Sequence, residues 1–201
     1  MRIGTDEAGK GDYFGYLVVA AVLVDDNTEK KLQELGVRDS KRLSDLQIRN
    51  KAVKIKRICR YEIVKISPEK YNNLYDKFSS LNRLLEWAHT RAIKNMLKRE
   101  NAELVIIDKF DSANIVIENV KVIQRYRAEN DMAVAAASVL ARDEFLRTLR
   151  ALGREIGFVL PKGCTHVEKT VKDILKKYDK GILKTVAKAH FKITKRVMKN
   201  I

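Results

Sequence analysis

The 201-residue chain carries 41 Lys and Arg against 26 Asp and Glu, a formal charge of +15, with 45% hydrophobic and 7% aromatic residues. This is long and apolar enough for one globular domain with a sizeable core, which excludes a disordered chain, and the positive surplus favours a polyanion such as nucleic acid over an acidic small molecule. No apolar run approaches the roughly 20 residues of a membrane helix.

Met1 to Thr5 and the almost unbroken apolar run Tyr16 to Val24 predict two strands. Between them the stretch Gly4 to Gly15 reads Gly-Thr-Asp-Glu-Ala-Gly-Lys-Gly-Asp-Tyr-Phe-Gly. Asp6 and Glu7 are adjacent carboxylates directly before a glycine-rich turn. Successive strand residues face opposite ways, so the two acids share a site only where the strand ends or bends. Gly9 and Gly11 permit such a bend and let backbone N–H groups approach a ligand. Two acids this close either raise each other's pKa or recruit a cation. The residues support a carboxylate-held metal beside a phosphate- or sugar-binding loop, and equally a solvated acidic turn. Gly4, Gly9 and Lys10 also fit the start of a P-loop pattern, but Gly11 stands where its magnesium-binding hydroxyl belongs, which argues against a nucleotide triphosphatase.

Asp25-Asp26-Asn27 caps a short helix over Glu29 to Leu35, ended by Gly36, and a basic loop, Val37 to Arg42, follows. Ser44 caps a helix from Asp45 to about Arg57. Arg60 to Ile66 is a β-branched strand, and Ser67-Pro68-Glu69 opens a further helix with proline at its first position. Leu81, Leu84, Leu85, Ala88, Ala92, Met96 and Leu97 recur at helical spacing, with Ser80 or Asn82 as cap. Trp87 and His89 within this helix read as core packing. Glu103 to Asp108 is a buried strand ending on a carboxylate, which makes Asp108 a natural third metal ligand. Val120 to Gln124 is the last strand. An alanine-rich helix from Met132 to about Leu149 follows, capped by Asn130 or Asp131, with Glu129 at its start where the helix dipole steadies an acid. Its alanines predict close packing on the sheet.

From Lys162 to Ile201 there are twelve Lys and Arg against three acids. Lys169, Lys172, Lys176, Lys180, Lys184, Lys188 and Lys192 recur every three or four residues, a basic stripe suited to tracking phosphates. The two cysteines, Cys59 and Cys164, lack metal-ligand spacing, and no signal peptide precedes the first strand. Free thiols then point to a cytoplasmic location without a membrane partner.

Acids at Asp6, Glu7, Asp108 and Glu129, on strand and helix ends, suit two-metal phosphodiester cleavage. At this point the chain resembles the type 2 ribonucleases H, and most closely ribonuclease HIII. The opening Asp-Glu-Ala-Gly-Lys-Gly is similar to the whole family, and Asp12-Tyr13-Phe14-Gly15 to the HIII branch. The likeness continues through Asp39-Ser40-Lys41, Leu84 to Ile93, Ile106 to Phe110, Ala133 to Arg142, Leu160 to Gly163 and Val186 to Phe191. The resemblance implies an α/β, ribonuclease H-like fold: a mixed five-stranded sheet flanked by helices, as one domain over residues 1–201. Residues from about 160 to 201 would form its basic helical C-terminal extension.

The resemblance also implies Mg²⁺- or Mn²⁺-dependent endonucleolysis of the RNA strand of RNA/DNA hybrids by a monomer. Asp6, Glu7 and Asp108 take the first three acidic places and Glu129 the fourth, with Asp111 as the alternative. Gly9, Lys10 and Gly11 match the loop whose backbone meets 2′-hydroxyls, and Ser40, Lys41 and Asn82 are backbone contacts. Many HIII enzymes add an N-terminal domain resembling the TATA-binding protein, and this chain begins at the catalytic domain. Alternatives are an HII-like enzyme cutting at single ribonucleotides in duplex DNA and a non-catalytic nucleic-acid-binding module. Gly157 to His166 has no tyrosine, the residue that serves HII enzymes at an RNA–DNA junction.

Overall fold

The computed structural model describes residues 1–37, 43–108 and 115–199. Five strands form one mixed sheet in the order β3-β2-β1-β4-β5: β1 (Arg2–Ala8), β2 (Leu17–Val24), β3 (Arg60–Ile66), β4 (Leu104–Asp108) and β5 (Lys121–Arg125). The first three pair antiparallel, while β4 runs parallel to both β1 and β5. All of β2 is buried, and its residues alternate between two cores. Val18, Ala20, Val22 and Val24 face one core and Leu17, Val19, Ala21 and Leu23 the other. This period-two division explains the unbroken apolar run: both faces of the sheet are covered.

The first face carries α1 (Asp26–Glu34), α2 (Asp45–Ile58) and the long α5 (Met132–Ile156), joined by α6 (Glu168–Lys177), α7 (Ile182–Val186) and α8 (Lys192–Lys199). The second face carries α3 (Pro68–Phe78) and α4 (Leu81–Leu97). Caps set these helices, and α1 starts at Asp26, three residues before the expected Glu29. Asp25 with Thr28, and Ser44 with Gln47, form reciprocal capping boxes, and Ser67 and Ser80 bond the amides of Lys70 and Arg83.

Alanines bring α5 onto the sheet, and Gly4 lets it arrive. A Cβ on Gly4 would lie 2.2 Å from the Ala133 carbonyl carbon and the Val134 nitrogen. Arg2 ties the same layers at their rim, donating to Asp131 at 2.9 Å and to Glu29 at 2.7 and 3.2 Å.

Three expectations are corrected. The strand β1 runs on to Ala8, so Asp6 and Glu7 lie within it. Helix α5 extends to Ile156, closed by Gly157 in a left-handed conformation at φ 75°. Its cap is Asp131, whose side chain accepts from the Ala133 amide, while Glu129 lies in a separate 3-10 turn, Ala128–Asn130.

The C-terminal part is integrated into the fold. Val171, Ile174, Leu183, Val186, Ile193 and Val197 belong to the first core. Phe14 bridges Ala187, the Gly15 amide donates to the Val186 carbonyl, and the Lys188 amide donates to the Tyr13 carbonyl. Asn72 of α3 pins the same segment, donating to the Lys184 and Ala187 carbonyls and accepting from the Ala189 amide.

Candidate active site

Parallel pairing of β1 with β4 sets Thr5 beside Ile107. The residues that follow, Asp6 and Asp108, therefore come off neighbouring strands at the same end of the sheet. Alternation along β1 then separates the two adjacent acids. Asp6 turns toward α5, where Ser138 hydrogen-bonds it. Glu7 turns toward α4, where the His89 Nε2–H donates to its Oε2 at 3.2 Å. With Nε2 donating, a neutral ring accepts the Thr5 hydroxyl at Nδ1, 2.9 Å away. Thr5 and His89 are fully buried, so this chain fixes the Glu7 carboxylate from behind. In front, Lys10 Nζ lies 2.8 Å from Glu7 Oε1.

The two acids have opposite electrostatics. Burial, with the nearby charges of Glu7 and Asp108, pushes the Asp6 carboxyl well above the usual range. Burial acts to raise Glu7 too, but His89 and Lys10 outweigh it and hold that group below its ordinary value. Asp108 is half-buried, and its Oδ1 accepts from the Ala128 amide at 2.9 Å. That bond ties the turn carrying Glu129 to the third acid. Asp6 Oδ1 accepts from the Glu7 amide at 2.7 Å.

The glycine loop follows directly. Gly9 has φ 87°, and a Cβ there would meet the Tyr16 carbonyl oxygen at 2.2 Å and the Phe145 ring at 2.8 Å. Gly11 is exposed with no atom within 4 Å of such a Cβ, so its backbone is open to a ligand. Beyond it, the Gly163 amide donates to Asp12 Oδ1 at 2.6 Å, and Lys188 Nζ donates to the Asp12 and Gly15 carbonyls at 2.9 and 2.8 Å.

Of the expected residues, the structure gathers Asp6, Glu7, Asp108, Gly9, Lys10 and Gly11 at one end of the sheet, with the Glu129 turn tied to them. Asn82 stands in the first turn of α4, seven residues before His89, or about 10 Å along the helix. Ser40, Lys41 and Asp111 lie outside the described residues. Two readings change. His89 is buried as expected, but it bonds a predicted site acid. Lys188 is fully buried under the loop, so it leaves the basic stripe, while Lys169, Lys172, Lys176, Lys180, Lys184 and Lys192 are exposed. Ser138 was not foreseen at all. The available signal for all three was a polar residue on an otherwise apolar helix face or run.

Carboxylate oxygens are hard donors that suit Mg²⁺ or Mn²⁺. Among the described residues, no three His, Cys, Asp or Glu side chains already converge as a finished cage. Both oxygens of Glu7 are turned to neighbours of their own, Lys10 and His89. The donor set nonetheless fits a divalent cation, because Asp6 is crowded by negative charge that a cation would relieve.

The chain matches the family described as Ribonuclease HII over residues 3–194. It is 45% identical over 199 residues to Ribonuclease HIII of Protochlamydia amoebophila (strain UWE25), which covers 95% of this chain and 66% of that one. To Ribonuclease HIII of Chlamydia felis (strain Fe/C-56) it is 43% identical over 202 residues, covering 95% and 67%. The chain thus spans about two thirds of the length of these relatives. The crystal structure of Bst-RNase HIII in complex with Mn²⁺ superposes with a TM-score of 0.90 at 32% identity, covering 99% of this chain and 69% of that one. Ribonuclease H2 from Pyrococcus horikoshii OT3 shares the fold with a TM-score of 0.86 at 20% identity, covering 99% and 97%.

Proposed function

Because this chain belongs to the ribonuclease HII family, we propose that it is a metal-dependent endonuclease cleaving the RNA strand of RNA/DNA hybrids. The observation that carries this reading is the meeting of Asp6, Glu7 and Asp108 at one sheet end, beside an open glycine loop. Asp6, Glu7, Asp108 and Glu129 would hold the metal. Mg²⁺ or Mn²⁺ there would supply Lewis acidity to the attacking water and the leaving oxygen.

The remaining work falls to the chain itself. Thr5 and His89 aim Glu7, and the Ala128 amide aims Asp108. The open backbone at Gly11 can meet a 2′-hydroxyl, the group that separates RNA from DNA. Gly9 and Lys10 complete that loop, and Ser40, Lys41 and Asn82 serve as backbone contacts. Residues 1–201 act as one catalytic domain with the basic C-terminal part built into it. We place the enzyme in the cytoplasm, in keeping with the free thiols of Cys59 and Cys164, and as a monomer. No helix among the described residues is long and apolar enough to cross a membrane.

Cleavage of a labelled hybrid with Mg²⁺ or Mn²⁺ tests the proposal. Wild type is expected to cut, and Asp108→Asn to lose cleavage while keeping its melting temperature and hybrid binding. Binding without cleavage by wild type would leave only a nucleic-acid-binding module. Glu129→Gln and Asp111→Asn, assayed side by side, identify the fourth acid.

Substrate choice follows the HIII pattern. Tyr178 is committed elsewhere, its hydroxyl donating to the Ile156 carbonyl at 2.9 Å, and Gly157 to His166 offers no tyrosine. Orientation then depends on several consecutive 2′-hydroxyls. Duplexes with about four or more ribonucleotides in a row are expected to be cut efficiently, and a single embedded ribonucleotide poorly. Equal rates on matched substrates with Mg²⁺ would assign HII-like behaviour instead.

A further inference from the structure

Glu7 is held at both oxygens, and the two holds differ in kind. Oε2 faces His89, which has no solvent exposure and is backed by Thr5. That contact cannot be given up without opening the second core. Oε1 faces Lys10 Nζ at 2.8 Å, and here the exposures are 42% for the lysine against 9% for the acid. The ammonium sits on a flexible stem at the solvent edge, so it can leave while Glu7 cannot. Lys10 also belongs to the loop whose neighbour, Gly11, has an open approach.

From this geometry we infer that Lys10 is an exchangeable counterion of the acidic centre: it neutralises Glu7 through Oε1, and a divalent cation gains that oxygen by displacing it. The displaced ammonium, swinging from a loop that faces solvent, becomes available to a substrate phosphate. His89 keeps Oε2 throughout, so Glu7 offers the incoming cation one oxygen. Lys10 would thereby couple the two ligands, since the cation that takes its place on Glu7 frees it for the anion. This inference rests on the proposed metal-binding role of Asp6, Glu7 and Asp108.

Equilibrium Mn²⁺ binding to the whole chain, followed by calorimetry or by the resonance signal of free Mn²⁺, tests it without any turnover. Lys10→Met removes the competitor, and its Mn²⁺ affinity is expected to rise about two- to fivefold, the range for a partly exposed ion pair. Lys10→Arg keeps a cation with a better fork for a carboxylate and is expected to bind Mn²⁺ no more tightly than wild type. A second readout follows the lysine directly. Acetylation of Lys10 by acetic anhydride, quantified by peptide mass spectrometry, is expected to accelerate several-fold when Mn²⁺ saturates the protein, while Lys169 and Lys176 react at unchanged rates. Mn²⁺ affinity in Lys10→Met equal to or weaker than wild type, or acetylation of Lys10 indifferent to Mn²⁺, would overturn the exchange alone. No Mn²⁺ binding by wild type at millimolar metal would overturn the acidic centre as a metal site, and the exchange with it.

Discussion

At Lys188 an amine with no solvent exposure donates to the carbonyls of Asp12 and Gly15, and burial brings its pKa down to about 7. A neutral amine still has two N–H groups, one for each carbonyl, so the bonds do not require the charge. Between pH 7 and the ordinary lysine value of about 10.4, the unfolded chain binds a proton that the folded chain does not. Stability from this residue therefore rises as the solution is made more alkaline through that window and is flat below it. Against Lys188→Met, wild type is expected to gain up to about 1.4 kcal/mol per pH unit above pH 7, measured by urea unfolding from pH 6 to 9. A constant difference across that range would mean that the amine stays charged in the fold. His89 makes a second prediction. His89→Ala is expected to weaken Mn²⁺ binding or cleavage about 10- to 100-fold, as removal of an outer partner of a metal ligand does, with His89→Gln recovering part of it through its amide N–H. Equal metal binding in all three proteins would reduce His89 to core packing. Asp6, Glu7 and Asp108 were legible as candidates because a short motif carries the first two and a strand end the third. The roles of His89 and Lys188 were not, because their partners lie 82 and 176 residues away.

Among the elements, the helix starts were the most legible, since Asp25, Ser44, Ser67 and Ser80 cap within three residues of themselves. Local chemistry needs no tertiary knowledge. The end of β1 was not legible, because Asp6 and Glu7 read as a turn until pairing with Ala20 and Val19 of β2 holds them in the ladder. Placing Glu129 at the start of α5 failed for a related reason: Asp131, two residues on, takes the cap and answers Arg2 as well. The seat of α5 on β1 yields a stability prediction. Gly4→Ala drives a methyl group into helix backbone, which cannot swing aside as a side chain would. A loss of about 3 kcal/mol or more in urea unfolding is expected, the upper end for overpacking. A loss below about 1 kcal/mol would show that the helix can retreat from the sheet at little cost. The C-terminal helices behave as core rather than appendage. Truncation after Lys180 removes Leu183, Val186, Ile193 and Val197, each burial worth about 1.5–3 kcal/mol, a sum comparable with the whole stability of a domain. The truncated chain is expected to lack a cooperative unfolding transition in circular dichroism.

For the molecule as a whole, the basic surplus is real but unevenly usable. Lys172 and Lys176 pair with Glu168 and Asp173, and Lys188 is interior, whereas Lys169, Lys180, Lys184 and Lys192 stand exposed. Replacing Lys169, Lys184 and Lys192 by Gln is expected to leave the fold intact and to lower the slope of log K against log salt for hybrid binding by up to about 0.9 for each phosphate no longer neutralised. An unchanged slope would make these lysines a solvated face. The α/β class and the five strands followed from hydrophobic pattern and resemblance together, but periodicity could not give the strand order. That order depends on β1 lying centrally between β2 and β4, a property of the assembled sheet. The bridge between Tyr13–Gly15 and Val186–Lys188 carries a further consequence, for the order of events during synthesis. The ribosome makes the clamp about 170 residues after the glycine loop that it fastens. At about 5–20 residues per second, that delay is roughly ten to thirty seconds. Throughout it the loop lacks the Lys188 amine on its Asp12 and Gly15 carbonyls and the bridge from Phe14 to Ala187, so its shape is unsupported until those residues emerge. The loop therefore settles into its final shape only after residues 186–188 have been made and reach back to it.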